Sequence, residues 1–300
     1  MAEKRIVCCT STGCIEYAPE RYRQLGIEFF RIIVNYDDKD YYEGKDLNPY
    51  EFFKYEKTIP NPKEHLPHSA IPDYASIKAT YDSIVERGYT EAIIVTLSRY
   101  LGATYEAIER VGKEYEGKLK VHMVDSKITC FGEGMLAIQA QELVNKGVDT
   151  ETILKELEWS KAHQEFIGTC AKLDYLIYNG RLKGGKAFMG KLIGIVPVMH
   201  FSHEGVLEPF ASAVGMKKGV RACIEEVKRV LGDRDPKDYL IWHNFTGEGS
   251  IDPYLEPEKE AGIVMNHEDV VASPVTGCHT GPYLAGYGIF MKRREDEPLE

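Results

Sequence analysis

The stretch "VTGCHTGPYLAGYGIF", residues 275–290, sets His279 between Gly277 and Gly281, with Thr276 and Thr280 beside it and an apolar run directly after. An imidazole and two hydroxyls suit a polar or anionic group, and glycines let a turn approach it closely. Arg181 is a second candidate. It follows the turn signal Asn179-Gly180, and Lys183 and Lys186 bracket Gly184-Gly185 just beyond it. Its planar fork suits a carboxylate or a phosphate. The Walker spacing of a nucleotide-binding loop is absent. Four polar loops complete the set: "TSTGC" (10–14), "PHSAIPD" (67–73), "LSRYLGATY" (97–105) and "VDSKITCFGEG" (124–134). Taken singly, each reads as a helix cap. Together at one sheet edge they would line a crevice and offer hydroxyls and N–H groups to an anion.

The elements that must position these groups alternate through the first half. Strands are predicted at 5–10, 27–36, 91–97 and 120–125, and helices at 19–26, 49–56, 72–88, 103–115, about 132–146 and 149–163. Such alternation means βαβ units and a parallel sheet, whose ligands bind at the carboxyl ends of the strands. The texture then changes. Strands at 165–171, 193–199, 205–214, 238–245, 262–275 and 284–290, with helices at 216–231 and 253–261, predict a mixed or antiparallel sheet with helices on one face. We place a domain boundary near residue 160. Phe188, Met189, Leu192, Ile193, Ile195, Val196, Val198 and Met199 form an apolar segment that fits a core strand or a lipid tunnel equally well.

The chain has 300 residues, 43% of them hydrophobic, and a formal net charge of −10. That balance is globular and disfavours a nucleic-acid partner, which needs a basic face. No apolar run is long enough to span a membrane, and "MAEKRIVCCT" lacks the form of a signal peptide, so a cytoplasmic protein is expected. The seven cysteines are irregularly spaced and read as free, buried thiols. Cys8, Cys9 and Cys14 do not suggest a metal site, because neighbours in a strand point to opposite faces. Neither a nucleophile elbow nor a cysteine-protease signature is present.

In order along the chain, "TSTGCI", "DDKDYYEGKDLNPYEFF", "HSAIPD", "TLSRYLGATY", "VDSK", "YNGRLKGG", "IVPV" and "GCHTGP" resemble the DegV family from residue 5 to about 290. The resemblance implies an α/β/α domain with a parallel sheet (1–160) and an α/β domain with a mixed sheet (161–300). A long-chain fatty acid would bind between them. It also implies a carrier rather than a self-sufficient catalyst. Some members present the carboxylate to a separate ATP-dependent fatty acid kinase, which makes acyl phosphate for phospholipid synthesis. By position, the carboxylate grip would comprise Ser98, Ser69 or His68 of the "HSAIP" loop, Arg181 and His279, with Thr280 alongside. No cofactor or metal is implied. The chain departs from the family pattern at Thr10 and Cys14, where the family has acids. It departs also at His68, Gly102-Ala103, Val196 and Tyr283.

Two other functions compete with the carrier. One is an enzyme of the dihydroxyacetone-kinase-like fold that uses His279 on a small polar substrate. The other is a lipid sensor with no kinase partner. Burying about 14 methylenes at ~0.8 kcal/mol each supplies roughly 11 kcal/mol gross, enough for tight binding without a covalent bond.

Overall fold

The structure, a computed structural model, describes residues 4–60, 65–182, 194–247, 252–261, 267–294 and 297–299. The first half runs β1 (Arg5–Thr10), α1 (Glu20–Arg23), β2 (Glu28–Phe30), β3 (Ile33–Tyr36), β4 (Lys39–Tyr42), α2 (Pro49–Glu56) and β5 (His68–Ala70). It continues with α3 (Tyr74–Glu86), β6 (Glu91–Thr96), α4 (Thr104–Gly112), β7 (Lys120–Asp125), α5 (Phe131–Asn145) and α6 (Thr150–Ala162).

Strands β2, β1, β6 and β7 form a parallel sheet in that order, with Val7 opposite Ile93 and Ile93 opposite His122. Alternation along β1 sends Ile6 and Cys8 towards Tyr81 of α3 and Ile108 of α4. Val7 and Cys9 go to the other face, towards Leu136 of α5 and Leu157 of α6. Both faces are thereby covered, as a parallel sheet requires.

A small antiparallel sheet, β4-β3-β5, sits beside it, with Val34 opposite Ser69. The sequence suggests one strand over 27–36, but the structure has two. The Ile32 N–H donates to Ser11 Oγ at 3.0 Å, which takes it out of either ladder where the chain crosses between sheets.

The second half runs β8 (Gln164–Cys170), α7 (Leu173–Tyr178), β9 (Ile195–Phe201), β10 (Leu207–Val214), α8 (Met216–Leu231), β11 (Tyr239–Phe245), α9 (Asp252–Ala261), β12 (His267–Val271), α10 (Pro274–Thr280) and β13 (Leu284–Met291). Its sheet has the order β10-β9-β8-β13-β11-β12. It is antiparallel except for the parallel pair β11–β12, hence mixed. Helix α8 covers one face through Val220, Ile224 and Val227. On the other face Trp242 meets Phe131 of α5 edge-on. Phe166, Met199 and Leu284 join Leu97, Ile128, Phe52 and Phe53 in a core built from both halves. Helix α5 lies between the two sheets, and Phe131 through Ile138, Glu133 included, are all buried.

The fold is thus mixed α/β, a parallel sheet followed by a mixed one. Two expectations need correction. The strand suggested over 262–275 is only His267–Val271 within the described residues. His279 lies on a helix, not a flexible turn: Ser273 Oγ accepts from the Thr276 N–H at 3.1 Å and Pro274 opens α10. Lys183, Lys186, Phe188, Met189, Leu192 and Ile193 lie outside the described residues.

Candidate functional site

A cavity of about 150 Å³ opens where loops of the first half meet α7, α10 and the β9–β10 hairpin. Ile32, Leu97, Leu101, Leu176, Phe201, Leu207 and Val275 give it apolar walls. Ser69, Thr104, Thr129, Arg181, Thr276, His279 and Thr280 supply its polar groups. Three of the four polar loops contribute to the lining; "TSTGC" does not. Its hydroxyls turn inward instead, and Thr10 and Thr12 both donate to the buried carboxyl of Glu133 on α5. Cys14 adopts a left-handed conformation and its thiol donates to the Thr12 carbonyl at 3.2 Å.

Arg181 is placed by the end of α7. Gly180 has φ +66°, the Arg181 N–H donates to the Leu176 carbonyl and the Gly180 N–H to that of Ile177. This Schellman closure turns Arg181 away from the helix axis. Its half-buried guanidinium donates from Nε to the Leu101 carbonyl at 2.7 Å and from Nη1 to the Asn179 carbonyl at 2.6 Å. Burial lowers its pKa from the usual guanidinium value, yet arginine stays charged. Among the described residues it has no carboxylate partner, and Nη2 makes no hydrogen bond.

His279 Nε2 lies 2.9 Å from Ser69 Oγ, which joins α10 to β5. Its Nδ1 is buried and has no hydrogen-bond partner among the described residues. Burial, then the nearby Arg181 charge and His68, pushes the imidazole pKa down to about 3, so the ring is neutral at pH 7. When Ser69 donates to Nε2, the ring proton sits on Nδ1 and can serve an anion.

Helix α4 adds backbone donors. Its N-cap residue is Ala103, which makes no side-chain cap, and Gly102, Ala103 and Thr104 line the cavity. The first-turn N–H groups and the positive end of the helix dipole are thus left for a ligand.

Thr280 lines the cavity, while its hydroxyl donates back to the Thr276 carbonyl at 3.0 Å. Two expected residues are placed elsewhere. Ser98 is fully buried, does not line the cavity and donates its hydroxyl to the Gly205 carbonyl. His68 is exposed on β5 and is likewise not in the lining. Of the remaining departures, Val196 is buried beside Gly219 and Tyr283 is exposed. Thr276 lines the cavity as its place beside His279 suggests, whereas Thr104 and Thr129 were not singled out; the missing cap at Ala103 is the signal that points to Thr104.

One cation, a neutral imidazole and uncapped helix donors, set in apolar walls, can hold an anionic head group with a hydrocarbon body. No helix among the described residues is long and apolar enough to cross a membrane. None of their His, Cys, Asp and Glu side chains form a group of three or more able to hold a metal ion.

An α/β protein with a parallel and a mixed sheet and a largely apolar cavity that Arg181 and His279 help to line is the class that results. The chain belongs to the DegV family: the profile described as "uncharacterised protein, DegV family" matches residues 7–292. It is 27% identical over 296 residues to a DegV domain-containing protein of Clostridium acetobutylicum, covering 97% of this chain and 100% of that one. Among solved structures it resembles a fatty acid binding DegV family protein from Streptococcus agalactiae, at 23% identity and a TM-score of 0.84 over 97% of this chain and 100% of that one. It also resembles a stearic acid-binding protein from Eubacterium ventriosum, at 19% identity and a TM-score of 0.84 over 96% of this chain and 99% of that one.

Proposed function

We propose that this protein binds a long-chain fatty acid between its parallel-sheet and mixed-sheet domains (1–160 and 161–300) and presents the carboxylate to a separate ATP-dependent fatty acid kinase. The carboxylate meets Arg181, His279 and the first turn of α4, and the acyl chain follows the apolar wall. One observation carries this reading: a half-buried guanidinium faces an apolar cavity with no carboxylate beside it among the described residues. An unpaired charge withdrawn from water costs several kcal/mol, which an anionic ligand offsets. The fatty acids bound by the similar structures fit the same head-and-tail chemistry. A cavity of about 150 Å³ holds a benzene-sized body. A long chain therefore fills it with its first carbons, and the rest of the chain extends beyond it.

The Ser69–His279 pair has the spacing of a nucleophile and base, which favours the enzyme reading. An imidazole held near pKa 3 is a weak base at neutral pH, and among the described residues no acid orients its Nδ1. The carrier reading is the better supported.

Organic extraction of the purified protein, followed by mass spectrometry, tests it: about one long-chain fatty acid per chain is expected. Extracts without lipid, together with no uptake of added palmitate or oleate, overturn it. For the kinase step, palmitate phosphorylation by a fatty acid kinase with ATP should require this protein. Equal rates without it overturn that part.

A further inference from the structure

Asn179 is not in the cavity lining, yet it touches the supports of both head-group side chains. It is the C-cap residue of α7, with φ −81° and ψ −3°. Its Nδ2 donates to the Tyr175 carbonyl at 3.1 Å and to the Cys278 carbonyl at 2.9 Å. Cys278 immediately precedes His279 on α10. The Asn179 main-chain carbonyl accepts from Arg181 Nη1 at 2.6 Å. One residue thus ties the helix that carries the imidazole to the turn that carries the guanidinium.

Packing of Gly281 against Tyr175 and of Gly277 against Phe53 also seats α10, but Asn179 bonds to the supports of both side chains. Arg181 is held at its base by the Schellman turn and across the cavity by the Leu101 carbonyl. Helix α10 is only seven residues long and its Cys278 carbonyl lies in its last turn. Carbonyls of a last turn have no partner within their own helix. The Asn179 amide satisfies this one from outside and so fixes where α10 ends relative to α7. Neither an acid nor a hydroxyl at this position does the same work. A carboxylate does not donate, and a hydroxyl has one proton for two carbonyls.

We infer that Asn179 is the positioning residue of the head-group site, setting the Arg181–His279 separation to suit one carboxylate. This rests on the carboxylate-binding reading above. Asn179 acts through the other two residues and does not touch the ligand itself.

The experiment is a set of paired titrations of palmitate and methyl palmitate, with melting curves, on the full chain. The proteins are wild type, Asn179→Ala, Arg181→Ala plus His279→Ala, and the triple variant. We expect Asn179→Ala to weaken palmitate by about five- to tenfold and the ester by less than about twofold. In the background lacking Arg181 and His279 the same change should alter palmitate binding by less than about twofold, because residues acting as one unit are not additive. Equal losses for acid and ester, or an undiminished loss in that background, overturn the inference. If Asn179→Ala does not fold, Asn179→Leu carries the same comparison, since it keeps the volume and removes both donors. An acid preference in that variant equal to wild type then overturns the inference. Failure of wild type to bind either ligand sinks the fatty acid reading itself. Wild-type binding with an acid preference that ignores Asn179 sinks only the positioning role.

Discussion

The Ser98 hydroxyl donates to the Gly205 carbonyl at 2.7 Å, joining the loop after β6 to the tip of the β9–β10 hairpin. The contact is close: a Cβ on Gly205 would meet Ser98 Oγ and lie 2.9 Å from the Lys127 Cα. Phe201 and Leu207 pair across this hairpin, and both line the cavity. The bond therefore fastens part of the apolar wall. Family resemblance assigns Ser98 to the carboxylate grip, but its one proton is directed at Gly205. Ser98→Ala should consequently change the affinities for a fatty acid and its methyl ester by the same factor, within about twofold, whereas Arg181→Ala should cost the acid about tenfold or more, the worth of one charged hydrogen bond. Paired titration checks both. An acid-selective loss in Ser98→Ala would return Ser98 to the grip.

Gly205→Ala should be more damaging than Ser98→Ala. Gly205 has φ +91°, a region L side chains avoid, and there is no room for its new methyl group. A loss of about 1–3 kcal/mol is expected from the backbone strain. Chemical denaturation of the two variants side by side measures it. A Gly205→Ala protein as stable as wild type would mean the hairpin tip is not held as described.

The thiols should be silent in the folded protein. All seven cysteines are free and buried. Burial pushes Cys170 up to about 12 and raises Cys9, Cys14 and Cys278 well above the usual thiol value, with the nearby Glu133 adding to the rise at Cys9 and Glu56 to that at Cys278. Because the thiolate is the reactive form, an alkylating reagent should modify none of the seven at pH 8 and all seven in denaturant. Mass spectrometry of the native and denatured samples distinguishes the two. Rapid native labelling of Cys14 or Cys278 would contradict the packing.

The parallel sheet was legible in the sequence because β1 and β6 are buried runs, and β7 a short half-buried strand, set between helices. Part of the candidate site was legible as chemistry: Arg181, Ser69, His279 and Thr280 do line one cavity. What was not legible depends on contacts distant in sequence. The chain breaks at Ile32 because Ser11 takes its N–H, and nothing local marks that. Three-residue β5 is too short for a periodic signal. Helix α10 was marked by Ser273-Pro274, but the β-branched run before it argued for a longer strand. Ser98 belonged to the right loop, yet a one-residue step along it separates a cavity-lining Leu97 from a hydroxyl aimed at Gly205.

Stability should fall as pH rises from about 4.5 towards 8. Burial raises Glu43 from 4.5 to about 7 and Glu133 from 4.5 to about 8. His243 rises from 6.5 to about 8 because its bonds to Asp269 and Glu258 outweigh burial. In each case the folded protein holds a proton that the unfolded chain has released, so stability is lost through that window. His279 acts the other way: lowered from 6.5 to about 3, it makes the folded state more stable as pH climbs through that lower range. Above about pH 4.5 the two carboxyls outweigh the one imidazole, so the maximum falls at or below about pH 5. Glu133→Gln, which keeps polar groups beside Thr10 and Thr12, should flatten the alkaline slope. Melting temperatures across the range check it, and a profile still rising at pH 8 would contradict these assignments.

Gly277→Ala should damage binding and stability together. A Cβ at Gly277 would lie 2.5 Å from a ring carbon of Phe53, 2.7 Å from one of Phe52 and 3.1 Å from Glu56 Oε2. These side chains are fully buried on α2 and cannot swing away without disturbing the shared core. The easier response is for α10 to shift outward, carrying His279 away from Ser69 and Cys278 away from Asn179. Overpacking of this kind costs about 1–3 kcal/mol. The displaced imidazole should also lower the preference for acid over ester, although Gly277 touches no ligand. Pairing Gly277→Ala with Phe53→Leu, which removes the ring it strikes, should restore part of both losses. A double variant that regains stability but not acid preference would separate the packing of α10 from the placing of His279, and one that regains neither would show that α10 does not rest on α2 in the way the Gly277 contact requires.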